Sequence, residues 1–335
     1  MFYKQLNDGR VQCQLCNRSC VIPPDRTGKC RVRMNRDGRL YSLVYGRATS
    51  IAVDPVEKKP LFHFHPGHRV LSFGTVSCNF RCKHCQNYGI SQVGPSEVTL
   101  KRLGDPKEIY QMTRDSGCRI VAWTYNEPLI WFEYVYDVSR YLKKKGIKTI
   151  LITNGYAKEQ PLRKIAPYLD AVNIDIKAFT DTNYMNMSNV HLQPVLDTLK
   201  LSRSLGLHIE ISYLVVPGIN DSRKEVSAMS RWVVDELGAE TPIHFLRFHP
   251  HYKLADRPQT PLKALLDAYM TAQGEGLYNV YVGNVRTHGY ENTRCPKCDH
   301  EVIKRDRHTL INSDLEGNRC PSCGAEILLV GRQNT

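Results

Sequence analysis

The chain has 335 residues, 41% of them hydrophobic, with 12 cysteines and a formal net charge of +13. That length allows one large α/β domain with small appendages, and no apolar run approaches the ~18 residues of a membrane-spanning helix. The first ten residues, Met1 to Arg10, lack the apolar core of a secretion signal, so a cytoplasmic location without membrane attachment is expected, where clustered cysteines point to metal rather than disulfides.

In chain order, residues 1–45 form a cysteine-rich lead. It carries Cys13, Cys16, Cys20 and Cys30 in C-x2-C-x3-C-x9-C spacing, then a hairpin turn at Asn35–Arg39. Asp54–Pro60 reads as a polar connector. Residues 46–285 then alternate strand and helix signals. The apolar strands are Val70–Phe73, Gly117–Thr124, Thr149–Ile152, Ala171–Ile176, Leu207–Val216, Ile243–Phe248 and Tyr278–Val282. Amphipathic helices separate them, one starting at Arg223 with Asp221 or Ser222 as its cap. Six or more such units predict a parallel sheet with helices outside. Residues 286–335 break the alternation and read as a separate module: Cys295-Pro-Lys-Cys298, a 21-residue spacer, and Cys320-Pro-Ser-Cys323-Gly. This C-x2-C…C-x2-C pattern predicts a zinc ribbon. Cys118 stands alone and reads as a buried structural thiol.

Eleven of the cysteines fall in these groups, the central one being Cys78, Cys82 and Cys85 in C-x3-C-x2-C spacing directly after the first parallel strand. Three thiolates hold three corners of a [4Fe–4S] cube and leave the fourth iron open, as a catalytic site requires. The rival readings are a structural zinc site completed by His84 and a disulfide cluster. Active sites of parallel α/β folds lie at the C-terminal strand ends. There the chain places Asn126 and Glu127, then Thr153 and Asn154, then Asp175 and Lys177, then His249 and His251. Carboxylates, amides and a lysine around a three-cysteine loop suit an amino-acid-like ligand.

Metal-bound cysteines are thiolates, so two zinc sites and one cluster bring the net charge to about +8. Residues 1–39 hold nine Lys/Arg against three Asp/Glu. Compensation of thiolate charge explains this excess, with RNA binding as the alternative. Net charge near +1 across 286–335, eight Lys/Arg against seven Asp/Glu, weakens phosphate binding by the ribbon. The lead cysteines suit either zinc or a second iron–sulfur cluster, with zinc favoured.

Over residues 46–285 the chain resembles radical S-adenosylmethionine (SAM) enzymes of the pyruvate formate-lyase activating enzyme group. Within that group it is similar to the radical SAM member of the AmmeMemoRadiSam gene system. The resemblance is carried by Cys78-x3-Cys82-x2-Cys85-Gln86-Asn87, Thr124–Pro128, Thr153-Asn154-Gly155, Asp175-Ile176-Lys177 and Val215–Asp221, with Gly28–Asn35 in the lead. It implies a partial (β/α)6 TIM-like barrel with Cys78, Cys82 and Cys85 on a [4Fe–4S] cluster whose open iron chelates SAM. Glu127 would accept from the SAM amine, with Asn126 and Thr153 beside it. Asn154, Asp175 and Lys177 would lie along the ribose and carboxylate, and His249 would close the far side. Reductive cleavage of SAM would yield a 5′-deoxyadenosyl radical that abstracts a substrate hydrogen. The implied partners are a protein or peptide substrate and an electron donor such as ferredoxin or flavodoxin. RNA modification and a non-catalytic metal scaffold are the alternatives. The chain departs from the group at Ile152, where activating enzymes often carry an Asp of a monovalent-cation site. His84 stands where an aromatic residue is common, and no cysteine-rich insert follows Cys85.

Overall fold

The computed structural model describes residues 1–331. Its main sheet has eight strands: β1 Ser50–Pro55, β2 Arg69–Gly74, β3 Ile120–Trp123, β4 Lys148–Thr153, β5 Ala171–Ile176, β6 His208–Val215, β7 Ile243–Arg247 and β8 Val280–Gly283. Spatial order follows chain order, so every neighbouring pair is also a sequence neighbour. β2 through β8 are parallel, whereas β1 runs antiparallel to β2. β1 and β8 are not paired, so the sheet is an open, partial barrel. The expected β–α alternation is therefore present, as seven parallel strands joined by six crossovers.

The strands are apolar because helices cover their outer face. These helices are α1 Pro106–Asp115, α2 Phe132–Lys144, α3 Glu159–Ile165, α4 Asp181–Ser188, α5 Gln193–Ser204, α6 Arg223–Leu237 and α7 Leu262–Gly274. Asp105 caps α1 by accepting from the backbone N–H groups of Lys107 and Glu108, with Pro106 at the first helical position. Ser222, not Asp221, caps α6.

The lead shares the barrel's apolar cluster: Val11, Leu15, Ile22, Val32 and Leu40 are buried in it. Arg33, 1% exposed, forms a two-pronged pair with Glu133 of α2, one prong at 2.7 Å. The expected turn at Asp37-Gly38 joins Arg33–Arg36 to Arg39–Ser42, with both turn residues at positive φ. The C-terminal module has its own small core of Val302, Ile303, Ile327 and Leu329. It is docked on the barrel all the same. Val330 bridges Phe64, and the His63 ring bonds the Leu328 carbonyl at 2.8 Å.

The polar connector expected at residues 54–60 is largely buried: Asp54, Glu57 and Lys59 are 5%, 1% and 3% exposed. The reason is charge pairing, which makes burial of ions tolerable. Lys58 and Lys59 reach Asp54 at 2.8 and 2.7 Å, and Tyr125 donates to it at 2.7 Å. Burial pushes the Asp54 carboxyl up, but these three partners outweigh it and hold it below its ordinary range. Glu57 accepts from the Gly67 N–H at 2.7 Å and faces the fully buried Arg305 of the C-terminal module at 3.8 Å.

Candidate cluster and cofactor site

The three-cysteine loop leaves β2 at Gly74, where a Cβ would sit 2.9 Å from the Thr124 carbonyl oxygen. Only glycine allows that approach between the ends of β2 and β3. Two side-chain-bearing residues there have left-handed backbones: Ser77 and Tyr125, both at φ 72°. Such strain in a bulky residue persists only where the surroundings enforce it. Here Asn126 does so, donating to the Ser77 carbonyl at 2.7 Å and accepting from the Thr75 N–H at 3.2 Å.

The loop is tied down at both ends. Arg81 folds back to donate to the carbonyls of Cys78 and Phe80 at 2.7 and 2.9 Å. The Lys83 N–H donates to Met187 of α4 at 2.9 Å, and the Cys82 thiol lies 3.3 Å from the Ser188 hydroxyl. Asn154 at the end of β4 donates to Asn79 at 2.8 Å and lies 3.7 Å from the Cys78 sulfur. Gly155, at φ 69°, makes that turn; a Cβ there would meet Ile174 at 2.8 Å.

Cys78, Cys82 and Cys85 line one cavity of about 210 Å³ together with Asn126, Glu127, Asn154, Asp175 and Lys177. His84 lines it too. Its ring is 4% exposed, and burial, aided by Lys177, lowers its pKa to about 3, so it stays neutral. Among the described residues, the loop thiols and His84 are not drawn within 4.8 Å of one another as the C-terminal thiols are. Three thiols spread around a shared cavity fit a cluster bound at three corners. Burial, reinforced by Glu127, pushes the Cys78 thiol well up, so the thiolate form needs a metal cation beside it.

The rest of the cavity fits an amino-acid-like ligand. Glu127 is fully buried and accepts from the N–H groups of Leu129 and Asn154 at 2.9 and 2.8 Å and from the Thr153 hydroxyl at 2.8 Å. A carboxylate has about four acceptor positions, which leaves room for about one more donor. Burial pushes Glu127 up to about 7 despite these bonds. Lys177 lies 2.9 Å from Asp175. Burial lowers the Lys177 ammonium, but Asp175 and the thiols of Cys82 and Cys85 outweigh that and raise it. Asn220, from the Val215–Asp221 motif, fixes this strand end by donating to the Lys177 carbonyl at 2.9 Å and to Leu214 at 2.8 Å.

Two expected site residues stand apart from this group. Thr153 is spent on positioning Glu127, and His249 sits outside the cavity with its ring 3.3 Å from the Asn284 carbonyl. Asn284, just past β8, lines the cavity in its place, together with Ser91, Gln92 and Leu246. Ser91 and Gln92 follow the loop directly in the chain, whereas Leu246 and Asn284 carry no local signal, because only the curvature of the sheet brings them to it.

The remaining cysteines form two groups of different geometry. Cys295, Cys298, Cys320 and Cys323 place their sulfurs within 4.8 Å of one another, the tight cage a single tetrahedral ion needs. Cys13, Cys16, Cys20 and Cys30 also wall a common space, next to Asn79 of the central loop. Burial raises Cys16 to about 12 and Cys30 to about 11. Cys118 is 2% exposed and belongs to the core, as expected.

A strand-end cavity of this kind, lined by a three-cysteine loop at the open end of a partial barrel, has the groups to hold a metal cluster and an amino-acid-derived cofactor. Residues 73–229 match the family model of the radical SAM superfamily. The chain is 43% identical over 318 residues to the uncharacterized protein MJ0808 of Methanocaldococcus jannaschii, covering 94% of each. It is 27% identical over 187 residues to pyruvate formate-lyase 1-activating enzyme of Escherichia coli, covering 55% of this chain and 75% of that one. Its fold is similar to that of a radical SAM methyltransferase from Sphaerobacter thermophilus, with a TM-score of 0.50, 12% identity, and 66% and 68% of the two chains covered. The chain belongs to the radical SAM superfamily and is an enzyme of that class, similar to the pyruvate formate-lyase activating enzymes. That family implies a [4Fe–4S] cluster and SAM as cofactors. Among the described residues, no helix is long and apolar enough to cross a membrane.

Proposed function

We propose that Cys78, Cys82 and Cys85 hold the [4Fe–4S] cluster, that Asn126, Glu127, Asn154, Asp175 and Lys177 hold SAM, and that the substrate is a protein or peptide. The observation that carries this reading is the single cavity in which three thiols meet these five polar side chains. When bound, cluster and SAM together supply a 5′-deoxyadenosyl radical that removes a hydrogen atom from the substrate. The chain's own residues orient and shield. Glu127 offers its remaining acceptor to the SAM amine, and the Asp175–Lys177 pair presents both charges to the ribose and carboxylate. His84 offers a neutral ring as a packing face.

A polypeptide substrate is supported by two features. The barrel edge between β1 and β8 is unpaired. A second cavity of about 450 Å³ shares Asn87, Tyr125, Asn126, Asp175, Leu246 and Asn284 with the first. The Escherichia coli relative is an activating enzyme of pyruvate formate-lyase, itself a protein. The electron donor is a low-potential protein such as ferredoxin or flavodoxin. The test is anaerobic incubation of the reconstituted enzyme with SAM, reductant and a polypeptide encoded beside its gene. A SAM-dependent mass change in that polypeptide is expected, and a modified RNA with an unchanged polypeptide sinks the assignment.

Glu127 sets a pH dependence. Raised to about 7, it is a full acceptor above that pH and becomes protonated below it. SAM affinity therefore weakens as pH falls below about 7, by up to about tenfold per unit for one linked proton. Equilibrium binding at pH 6 and pH 8 measures this, and Glu127→Gln flattens the slope. A wild-type affinity that is flat across this range rules the role out.

The C-terminal module, residues 286–335, is proposed to be a zinc ribbon that holds the barrel's unpaired side. Cys320→Ser is expected to release zinc and to expose the 62–68 segment, seen as faster amide exchange at His63, His65 and Val330. Retention of zinc, or unchanged exchange, counts against it.

A further inference from the structure

We propose that Cys13, Cys16, Cys20 and Cys30 hold a second [4Fe–4S] cluster, ligated by four thiolates with no open iron, which passes electrons to the cluster at Cys78, Cys82 and Cys85. The relay, though not the site itself, rests on the reading of that central loop given above.

The geometry argues against zinc. At the C-terminal module the sulfurs of Cys295 and Cys323 are 3.5 Å apart, those of Cys298 and Cys320 are 3.6 Å apart, and all four lie within 4.8 Å of one another. A single ion bonded at about 2.3 Å draws its thiolates that close. Among the described residues, the lead thiols are not gathered in this way. Instead they wall a cavity of about 20 Å³, room for about one water-sized sphere. Four thiolates closed on one ion leave no such space between them. Four thiolates at the corners of an iron–sulfide cube stand further apart and leave an opening at their centre.

Two buried side chains face these sulfurs. Arg33 and Asn79 line this cavity, each 1% exposed; the Arg33 Nε has no hydrogen-bond partner, and the Asn79 side chain stabilises the thiolate form of Cys16. Buried polar groups without partners are rare in native proteins. Sulfide and thiolate sulfurs accept N–H bonds, and such bonds tune the potential of a cluster. Gly28 completes the wall: a Cβ there would stand 3.5 Å from the Cys20 sulfur and 3.2 Å from Ile22.

The position explains the relay. Asn79 follows Cys78 in the chain, and Asn154 contacts both Asn79 and the Cys78 sulfur. One residue's side chain thus lines the lead cavity while its chain neighbour lines the SAM cavity. The two loops are also tied by backbone contacts. Arg18 donates to the Asn79 carbonyl at 3.0 Å, and Arg81 donates to the carbonyl of Lys29 beside Cys30. One electron from a low-potential flavin or iron–sulfur protein reduces the lead cluster from 2+ to 1+ and oxidises the donor by one electron. The lead cluster returns to 2+ when it reduces the central one.

The test begins with anaerobically purified full-length protein. About eight irons, eight sulfides and one zinc are expected per chain, and Cys13→Ala/Cys16→Ala is expected to keep about four irons and the zinc. About four irons with two zincs in the wild type, one zinc being lost in the lead variant, overturns the proposal. Electron paramagnetic resonance of the dithionite-reduced wild type gives a readout that does not depend on a variant folding. Two reduced-cluster signals are expected, of which SAM shifts only one; a single signal shifted entirely by SAM overturns the proposal. If about eight irons are present and SAM shifts neither signal, the central-loop reading fails while the lead cluster stands. For the relay, 5′-deoxyadenosine formation driven by flavodoxin and its reductase is expected to fall at least about tenfold in the lead variant. Unchanged flavodoxin-driven turnover in a variant that has lost one cluster rules the relay out.

Discussion

Cys82→Ala is expected to abolish 5′-deoxyadenosine formation, lowering the rate at least about a thousandfold, equivalent to about 4 kcal/mol. The size follows from how few ligands the loop supplies. An iron–sulfur cube normally has four cysteine ligands; the loop provides three, so losing one removes a third of its attachment. Nothing nearby substitutes. His84 is buried and neutral, and Ser188, 3.3 Å from the Cys82 sulfur, is a hydroxyl anchored on α4. Chromatographic measurement of 5′-deoxyadenosine after anaerobic reconstitution reads the effect, with iron falling by about four per chain. Cys118→Ala is the control, since that thiol lies in the core away from the cavity. A Cys82→Ala enzyme that keeps iron and turnover refutes the assignment of the loop.

Glu210→Ala is expected to be the most destabilising single substitution in the barrel, costing about 3–5 kcal/mol, the range for breaking a buried ion pair. Glu210 on β6 is 0% exposed and points into the barrel. It accepts from the N–H groups of Phe62 and His63 at 2.9 and 2.7 Å, and bonds His208 and His244 at 3.0 and 2.7 Å. Its removal leaves two backbone donors and two imidazoles without their acceptor at once. Burial pushes this carboxyl up, yet its bonds to His208 and His244 outweigh that and hold it well below its ordinary range. The stabilisation is therefore complete above the ordinary carboxylate pKa and is lost only as pH falls below it. Thermal unfolding should show a midpoint lowered by about 4–7 °C. A shift under about 2 °C means the network is not a structural anchor.

Glu210 also shows what local patterns cannot convey. Its alternating neighbours Ile209, Ile211 and Tyr213 face the helices, so the strand reads as apolar on one side and polar on the other. The segment whose N–H groups it accepts lies about 148 residues earlier. Asp54–Pro60 is the same lesson in charge. A run of Asp, Glu and two Lys reads as a polar connector; Lys58 and Lys59 pair with Asp54 within it, but the partners that complete its burial are distant: Tyr125, just past β3, and Arg305 from the C-terminal module. Arg305 in turn donates to the Phe62 carbonyl at 2.9 Å and lies 4.3 Å from that ring's centre. This contact turns a module that reads as separate into one fixed against the barrel.

The central three-cysteine loop was legible because everything that defines it is local or periodic. Spacing declares a three-thiolate site, apolar runs declare parallel strands, and parallel strands place whatever follows them at one end. That rule puts Asn126, Glu127, Asn154, Asp175 and Lys177 at one end of the sheet, where they line a common cavity with the loop. Thr153 and His249 obey the same rule, yet one turns to Glu127 and the other lies outside the cavity. Strand-end position puts a residue near the site but does not aim its side chain.

The sequence by itself determined the architecture and the class of chemistry and singled out the three-cysteine loop, since these depend on period and spacing along the chain. Only the tertiary structure decided which polar groups were buried, how the C-terminal module docks, and how far apart the lead thiols stand. Those depend on partners brought together by folding, and the free energy of a buried charge or a metal cage is set by such partners rather than by chain neighbours.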